Sequence, residues 1–214
     1  MPTRREGVRH LEALSQKIAD IVCSEVSAGA EDREIYEFAS KLLVNCTFDI
    51  LVIFCLAYAA GVLLPVAVAY ALVAVFKYFA GGAHAQKMLN CLLIGICVYL
   101  GIGLGARALA VSAQHLVWIA YVVCSLLALA SFALYAPSAH PNKPLRTKQH
   151  RQRLKRCAMS ALIAVLVLKL VWLVRPFAPD VVFWSGCLAL VWQSLILLPE
   201  SQRLFDNSER YMFK

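Results

Sequence analysis

A histidine and a cysteine seven residues apart are the residues best suited to chemistry in this sequence. His84 and Cys91 follow the paired glycines Gly81 and Gly82 in the stretch Gly-Gly-Ala-His-Ala-Gln-Lys-Met-Leu-Asn-Cys. The thiolate is the nucleophilic form of cysteine, and a neighbouring histidine is the usual base that produces it near neutral pH. The pair is therefore a candidate for catalysis by a thiol nucleophile. The alternative is that His84 is a turn or membrane-surface residue and that Cys91 is one of eight cysteines, most of which lie in apolar runs.

Helix geometry limits how these two residues can meet. On one uninterrupted α-helix, His84 and Cys91 would be separated by about 10.5 Å along the axis, which is too far for a hydrogen bond. The paired glycines permit backbone angles that are closed to other residues, so the chain can turn there. We therefore expect His84 in a turn and Cys91 near the start of the next helix. The backbone N–H groups of the turn after Gly82 are candidate oxyanion donors.

Four residues around the pair are candidates for substrate binding. Lys77 and Lys87 place positive charge on either side of it, which favours the thiolate form of Cys91. Gly81 and Gly82 complete this set. The eight cysteines include no C-x-x-C pair, which argues against a zinc knuckle or a thioredoxin-like site. The sequence indicates no metal and no organic cofactor.

The elements that must position these residues are apolar. The 214 residues are 61% hydrophobic and only 16% charged, whereas a soluble domain carries roughly 25% charged residues. The net charge of +8 is typical of some nucleic-acid-binding proteins, but the basic residues lie in loops beside apolar segments. That arrangement indicates a lipid bilayer as the partner and excludes a nucleic acid.

Six apolar segments predict an all-α, polytopic membrane protein with about six transmembrane helices. The second segment is marginal, since Pro65 opens it and Lys77 shortens it, so a re-entrant segment is an alternative. We predict a single integral membrane domain over 1–214, with a cytoplasmic amphipathic helix in 1–37, a transmembrane core over 38–198 and a cytoplasmic tail over 199–214. The segments are 39–61, 62–80, 88–106, 114–135, 158–175 and 180–198.

The charges in the loops predict the orientation. If both termini are cytoplasmic, all Lys and Arg residues except Arg107, Lys169 and Arg175 lie in inside regions, out of 21 in the chain. This asymmetry is what the positive-inside rule demands of a correct topology. The sequence therefore predicts that the N-terminus and the C-terminus are both inside.

Two basic or amphipathic regions have alternative interpretations. Apolar residues recur at helical spacing over 8–26, which indicates a helix on the inner leaflet or, alternatively, a docking surface for a peptide substrate. The loop 136–157 carries seven basic residues. These residues orient the protein and attract anionic headgroups, and direct substrate contact is the alternative.

Two charges lie inside predicted membrane segments. Asp49 and Lys169 are each about ten residues from the inner end of their segment, so they could form an ion pair or line a polar cavity. The same two charges support the main alternative function, a small transporter or channel, in which both would be essential and Cys91 would be dispensable.

The motif around His84 resembles the signature of the accessory gene regulator B family, in which Gly-Gly-x-His-Ala is followed by a cysteine seven residues after the histidine. The tract from Ala136-Pro137 to Asn142-Lys143-Pro144-Leu145, followed by a basic run, resembles that family's central cytoplasmic loop. The similarity extends over about 35–160. Members commonly carry arginine at the position of Lys77, and lysine keeps the charge without the bidentate geometry.

The resemblance implies a multi-pass cysteine endopeptidase in the bacterial cell membrane that processes a quorum-sensing propeptide. It assigns the catalytic roles to His84 and Cys91. The precursor signalling peptide would be cut in its C-terminal part and held as a thioester, and an internal nucleophile could then close a ring. A homodimer is a further expectation from the resemblance.

Overall fold

The protein is helical throughout the part that the structure describes. A computed structural model describes residues 4–26, 30–83, 88–138, 147–174, 180–201 and 203–204. These ranges contain no strand, which confirms the all-α prediction. Their helices are α1 (Arg4–Val26), α2 (Ala30–Ala59), α3 (Leu63–Ala80), α4 (Met88–Ser112), α5 (Val117–Tyr135), α6 (Lys148–Val174) and α7 (Val181–Leu197), with a 3₁₀ turn at Gln114–Leu116.

Each of the six predicted membrane segments corresponds to one helix from α2 to α7. Within the described ranges, five helical segments are long and apolar enough to cross a membrane, and α7 is a shorter apolar helix of 17 residues. A span needs roughly 17–25 residues, so α7 is at the lower limit. The marginal second segment forms one uninterrupted helix, α3, of 18 residues. Pro65 lies in its first turn, where a missing N–H breaks no helical hydrogen bond.

The chain divides into two compact units, Met1–Ile53 and Phe54–Lys214. The first contains α1 and most of α2, and the guanidinium of Arg33 binds Asp20 at 2.7 Å and Glu37 at 3.0 Å. The helix predicted within 1–37 is therefore present as α1. Its position on the inner leaflet stays a prediction, although Leu14 and Ile21 are exposed on it, as that position requires.

The second unit is organised around its last helix. The helix α7 packs against α3, α4 and α5, while α6 packs against α3 and α5. The helices α3 and α4 approach closely at Gly103, where a Cβ atom would come within 2.7 Å of the Val66 side chain. Small residues at such contacts are how membrane helices pack tightly when lipid competes for every apolar surface.

The outer face of this unit is apolar. Along α5, large hydrophobic side chains are exposed on successive turns, an arrangement that is unfavourable in water and favourable in lipid. Membership of a multi-pass membrane class therefore follows from both helix length and surface chemistry. The exposed residues on α5 include Trp118, Ile119, Val122, Val123, Leu126 and Leu127.

Different residues lie at the two ends of the second unit. At one end, the guanidinium of Arg107 lies beside Gly61 in the turn between α2 and α3. At the other end, the C-termini of α3, α5 and α7 meet, and the candidate site lies there. The inside position of both termini stays a prediction from the loop charges.

Candidate functional site

The paired glycines end α3 and begin the candidate site. Gly81 has a φ of 75° and Gly82 a φ of 138°, backbone conformations that side-chain-bearing residues rarely adopt. The chain therefore leaves the helix at Ala80 and turns immediately before the His84 position. We call the segment Gly81–Gly82–Ala83 the glycine turn.

Three hydrogen bonds, made by α7 and by the segment that follows α5, hold the glycine turn and the end of α3 that leads into it. The N–H of Ala83 donates to the carbonyl oxygen of Ile196 at 2.8 Å, and the N–H of Ser138 donates to the carbonyl oxygen of Ala80 at 2.9 Å. The side-chain Nε2 of Gln193 donates to the carbonyl oxygen of Gly81 at 3.1 Å. The ends of α5 and α7 thus fix the position at which the turn leaves α3.

Space around the glycine turn is too small for larger residues. A Cβ atom on Gly81 would be 2.9 Å from the backbone oxygen of Ser138, and one on Gly82 would be 3.1 Å from the Ile196 side chain. Both contacts are closer than ordinary van der Waals distances. The glycines are therefore required for their positive φ angles and for this close packing.

Cys91 lies near the described start of α4 and is half-buried. The described bounds of α4, Met88–Ser112, agree with the expectation that Cys91 lies near the start of the helix after the glycine turn. His84 and Lys87 lie outside the described residues, so the meeting of imidazole and sulfur stays a prediction. Lys77 is exposed in the last turn of α3, and its carbonyl accepts the N–H of Gly81 at 3.1 Å.

Asn90, directly before Cys91, is completely buried at 0% exposure. Neither its Oδ1 nor its Nδ2 has a hydrogen-bond partner among the residues that the structure describes. A buried amide without partners costs free energy, so it is rarely retained without a group to bind. We draw no catalytic role from it, because on a helix it projects about 100° away from Cys91.

The structure corrects one expectation about the oxyanion donor. The N–H of Ala83 is the first after Gly82, and it is already bonded to the Ile196 carbonyl. It therefore serves to hold the turn and has no hydrogen left for a substrate oxygen. Any backbone donor after Gly82 must come from beyond Ala83.

An aromatic core lies directly below the glycine turn. The rings of Phe76 and Phe132 meet edge to face, with centroids 5.1 Å apart, and both are fully buried. They join α3 and α5 one turn before the ends that carry the site. Their cluster is completed by Ala80, Ala128, Ala136, Ala158, Leu162, Leu166, Leu190 and Leu197.

The structure shortens the basic loop predicted over 136–157, because α6 begins at Lys148 and residues 148–157 are helical. One basic residue of this helical part has a structural role. The Nζ of Lys155 donates to the carbonyl oxygen of Ala133 at 2.7 Å, in the last turn of α5. A cation at a helix C-terminus satisfies an orphan carbonyl and interacts favourably with the helix dipole. The middle of this loop, 139–146, lies outside the described residues, so direct substrate contact there stays a prediction.

Lys169 is buried inside the second unit, at 9% exposure. Its Nζ donates to the Phe183 carbonyl at 2.8 Å and to the Cys187 sulfur at 3.2 Å, and it lies 4.2 Å from the centre of the Phe183 ring. The missing side chain of Gly186 leaves the space for this ammonium. Asp49 belongs to the first unit, and its pairing with Lys169 stays a prediction.

The sequence did not point to Gln193, Ile196 or Ser138 as site residues. Gln193 could have been noticed, because a polar amide in an apolar helix usually has a specific partner. Ile196 and Ser138 act through backbone atoms, so their side chains carry no signal. Sequence patterns are local, whereas these contacts join segments that are far apart in the chain.

Comparison with known proteins identifies the relatives of this arrangement. A family model described as Accessory gene regulator B matches residues 15–197. The chain belongs to the accessory gene regulator B family. The resemblance seen in the histidine–cysteine motif is thereby confirmed over most of the chain.

Individual relatives match at low identity and high coverage. An AgrB-like protein of Clostridium perfringens strain SM101 is 22% identical over 194 residues, which cover 87% of this chain and 91% of the relative. An AgrB-like protein of Listeria innocua is 27% identical over 168 residues, which cover 77% and 78%. No solved structure matches the chain. Family membership places this multi-pass membrane protein in the quorum-sensing accessory gene regulator system.

Proposed function

We propose that the protein is a membrane-embedded cysteine endopeptidase that cleaves the C-terminal part of a precursor signalling peptide at the cytoplasmic face of the cell membrane. The observation that carries the proposal is the position of Cys91. It lies half-buried near the described start of α4, the helix that follows a glycine turn held by α7. The family's Gly-Gly-x-His-Ala motif assigns the partner base to His84.

The proposed reaction begins with proton transfer. His84 takes the proton of the Cys91 thiol, and the resulting thiolate attacks the scissile carbonyl carbon of the peptide. A carbon–sulfur bond forms, the carbon–nitrogen bond breaks, and His84 gives its proton to the leaving amine. The N-terminal part of the peptide is then held on Cys91 as a thioester.

The thioester can react in two ways. Water can hydrolyse it, which releases a linear product and restores the thiol. Alternatively, an internal hydroxyl or thiol of the peptide attacks the same carbonyl and closes a lactone or thiolactone, with Cys91 as the leaving group. In the second route the activated acyl group is transferred directly into the new ester or thioester bond, so no cofactor is needed.

Fixed geometry supports this chemistry. Catalytic groups must be held within small tolerances, because a displacement of about 1 Å can cost roughly 10²-fold in rate. The glycine turn is tied to α7 through Gly81 and Ala83, and it follows Ala80, which belongs to the same buried cluster as Phe76 and Phe132. A segment held this way is well suited to present a base that follows it in the chain.

The test is co-expression with a candidate precursor, a short amphipathic peptide with an acidic C-terminal tail encoded beside the gene. Mass measurement of the products should show cleavage with the wild type and none with Cys91→Ser or His84→Ala, while all three proteins insert at equal levels. Cys97→Ser, an exposed cysteine on the same helix α4, is the matched control and should cleave normally. Cleavage by Cys91→Ser would overturn the proposal.

A further inference from the structure

Gln193 is an unusual residue for its surroundings. It lies one turn from the end of α7, a helix of strongly apolar composition, and its exposure is 0%. Burying an amide costs free energy unless it is hydrogen-bonded, and a leucine would fill similar space without that cost. The side chain should therefore have a specific use at this position.

The side-chain amide of Gln193 contacts the glycine turn. Its Nε2 donates to the carbonyl oxygen of Gly81 at 3.1 Å, while its Oε1 is buried and has no hydrogen-bond partner within the described part of the chain. Among the described residues the amide makes one hydrogen bond, and its partner is Gly81, the residue with a φ of 75°. It does not tie α7 to the middle of a neighbouring helix, as a polar residue used only for helix packing would.

A second contact from the same helix end reinforces the first. The carbonyl of Ile196, almost one helical turn after Gln193, accepts the N–H of Ala83. Gly81 and Ala83 are thus each held by α7, one through a side chain and one through the backbone. The residue that follows Ala83 is His84, the proposed base.

We propose that Gln193 is a positioning residue for the reaction: by holding the Gly81 carbonyl, its amide sets the direction in which the glycine turn delivers His84. The inference rests on the proposed function for its catalytic consequence. Gln193 touches neither the peptide nor the reacting atoms. Its loss should therefore change the rate of the chemical step and leave peptide binding unchanged.

The principal variant is Gln193→Leu, studied as the full chain in proteoliposomes with the same candidate precursor. We expect kcat to fall roughly 10- to 100-fold while KM stays within about twofold, because only the alignment of the base is lost. The matched control is Ser194→Ala. The hydroxyl of Ser194 bonds within α7 to the Leu190 carbonyl, so its removal should leave kcat unchanged.

Gln193→Glu provides a readout that a merely structural role would not change. A protonated glutamic acid can still donate to the Gly81 carbonyl, whereas the ionised form can only accept and would repel that oxygen. The activity of Gln193→Glu relative to wild type should therefore decline as the pH is raised. The activity of Gln193→Leu relative to wild type should not change with pH, because leucine does not ionise.

Hydrogen–deuterium exchange at the glycine turn tests the inference without any peptide. In Gln193→Leu, the Ala83 amide should exchange faster than in the wild type and in Ser194→Ala, because the turn has lost one of its two attachments to α7. If no precursor is cleaved by the wild type, the proposed function fails and this measurement still decides the role of Gln193.

Three results would overturn the inference. The first is wild-type kcat in Gln193→Leu. The second is a fall in kcat without faster exchange at Ala83, since the amide would then act elsewhere. The third, which decides the matter if Gln193→Leu does not insert, is a Gln193→Glu activity that follows the wild type at every pH.

Discussion

The backbone N–H of Ala83 donates a 2.8 Å hydrogen bond to the carbonyl oxygen of Ile196, at the end of the last membrane helix. This bond occupies the first amide after the paired glycines, so the chain uses it to hold the turn. The proposed site thus combines the glycine turn, in the first part of the second unit's sequence, with the end of α7, in its last part. Changes near the C-terminal end of α7 should reach the site as directly as changes beside Cys91.

Gly81→Ala should disrupt the glycine turn. Gly81 combines a positive φ with a ψ of −151°, a conformation that costs a residue with a side chain about 1–3 kcal/mol. The new Cβ would also lie 2.9 Å from the Ser138 backbone oxygen, so the turn must shift. We expect cleavage to fall at least about 10-fold with normal insertion. Product formation measured by mass spectrometry in membranes of equal protein content checks this.

The matched control for that variant is Gly101→Ala. Gly101 lies inside α4, and no atom of a neighbouring residue lies within 4 Å of a Cβ built there. Alanine favours a helix over glycine by about 1 kcal/mol, so this variant should be as stable as the wild type or more so. Equal activity of Gly81→Ala and Gly101→Ala would contradict the role given to the glycine turn.

Phe132→Ala should destabilise the end of the unit that carries the site. The ring is fully buried against Phe76, so its removal leaves a cavity below the glycine turn. In water such a change costs about 3–5 kcal/mol. We expect about 2 kcal/mol here, since the separated helices would still be covered by lipid. Thermal unfolding in detergent measures the difference.

Leu134→Ala on the same helix is the comparison for Phe132→Ala. Leu134 is 72% exposed, so truncating it opens no cavity. Its unfolding temperature should stay close to that of the wild type. If both variants lost the same stability, the buried cluster around Phe132 would not be what holds α5 against its neighbours.

Helix positions and the place of Cys91 could be predicted from the sequence, because both depend on local properties. Apolar runs of the right length must become membrane helices, and the paired glycines after Lys77 must end one. The attachment of Gly81 to Gln193 could not be predicted, since nothing in either segment identifies the other. The sequence therefore predicts where the helices lie along the chain. The contacts that hold the glycine turn depend on how those helices pack, which the sequence does not show.

The environment of Lys169 is a second feature that could not be predicted from the sequence. The sequence predicts that a charge in an apolar segment has a specific environment, and an ion pair with Asp49 or the lining of a polar cavity are the two alternatives. The structure surrounds the ammonium with the Phe183 carbonyl, the Phe183 ring and the Cys187 sulfur. Such partners cannot be recognised in a sequence. Every residue has a backbone carbonyl, and aromatic rings are common, so neither marks a binding position.

Lys169→Met should leave cleavage intact. Methionine has a similar length and no charge to desolvate, and replacing a buried charge by an apolar side chain of similar size is often neutral or stabilising. We expect cleavage within about twofold of wild type and an equal or higher unfolding temperature. If Lys169→Met abolished function while Cys91→Ser retained it, the transporter hypothesis would replace the endopeptidase.

The orientation predicted from the loop charges can be measured with reporter fusions. The positive-inside rule places the glycine turn and the tail after α7 in the cytoplasm, and it places the turn at Ala113, between α4 and α5, outside. Green fluorescent protein folds only inside, so fusion after Leu204 should fluoresce. Alkaline phosphatase matures only outside, so fusion at Ala113 should be active. A phosphatase-active fusion after Leu204 would place Cys91 on the outer face, where a peptide made in the cytoplasm could not reach it before export.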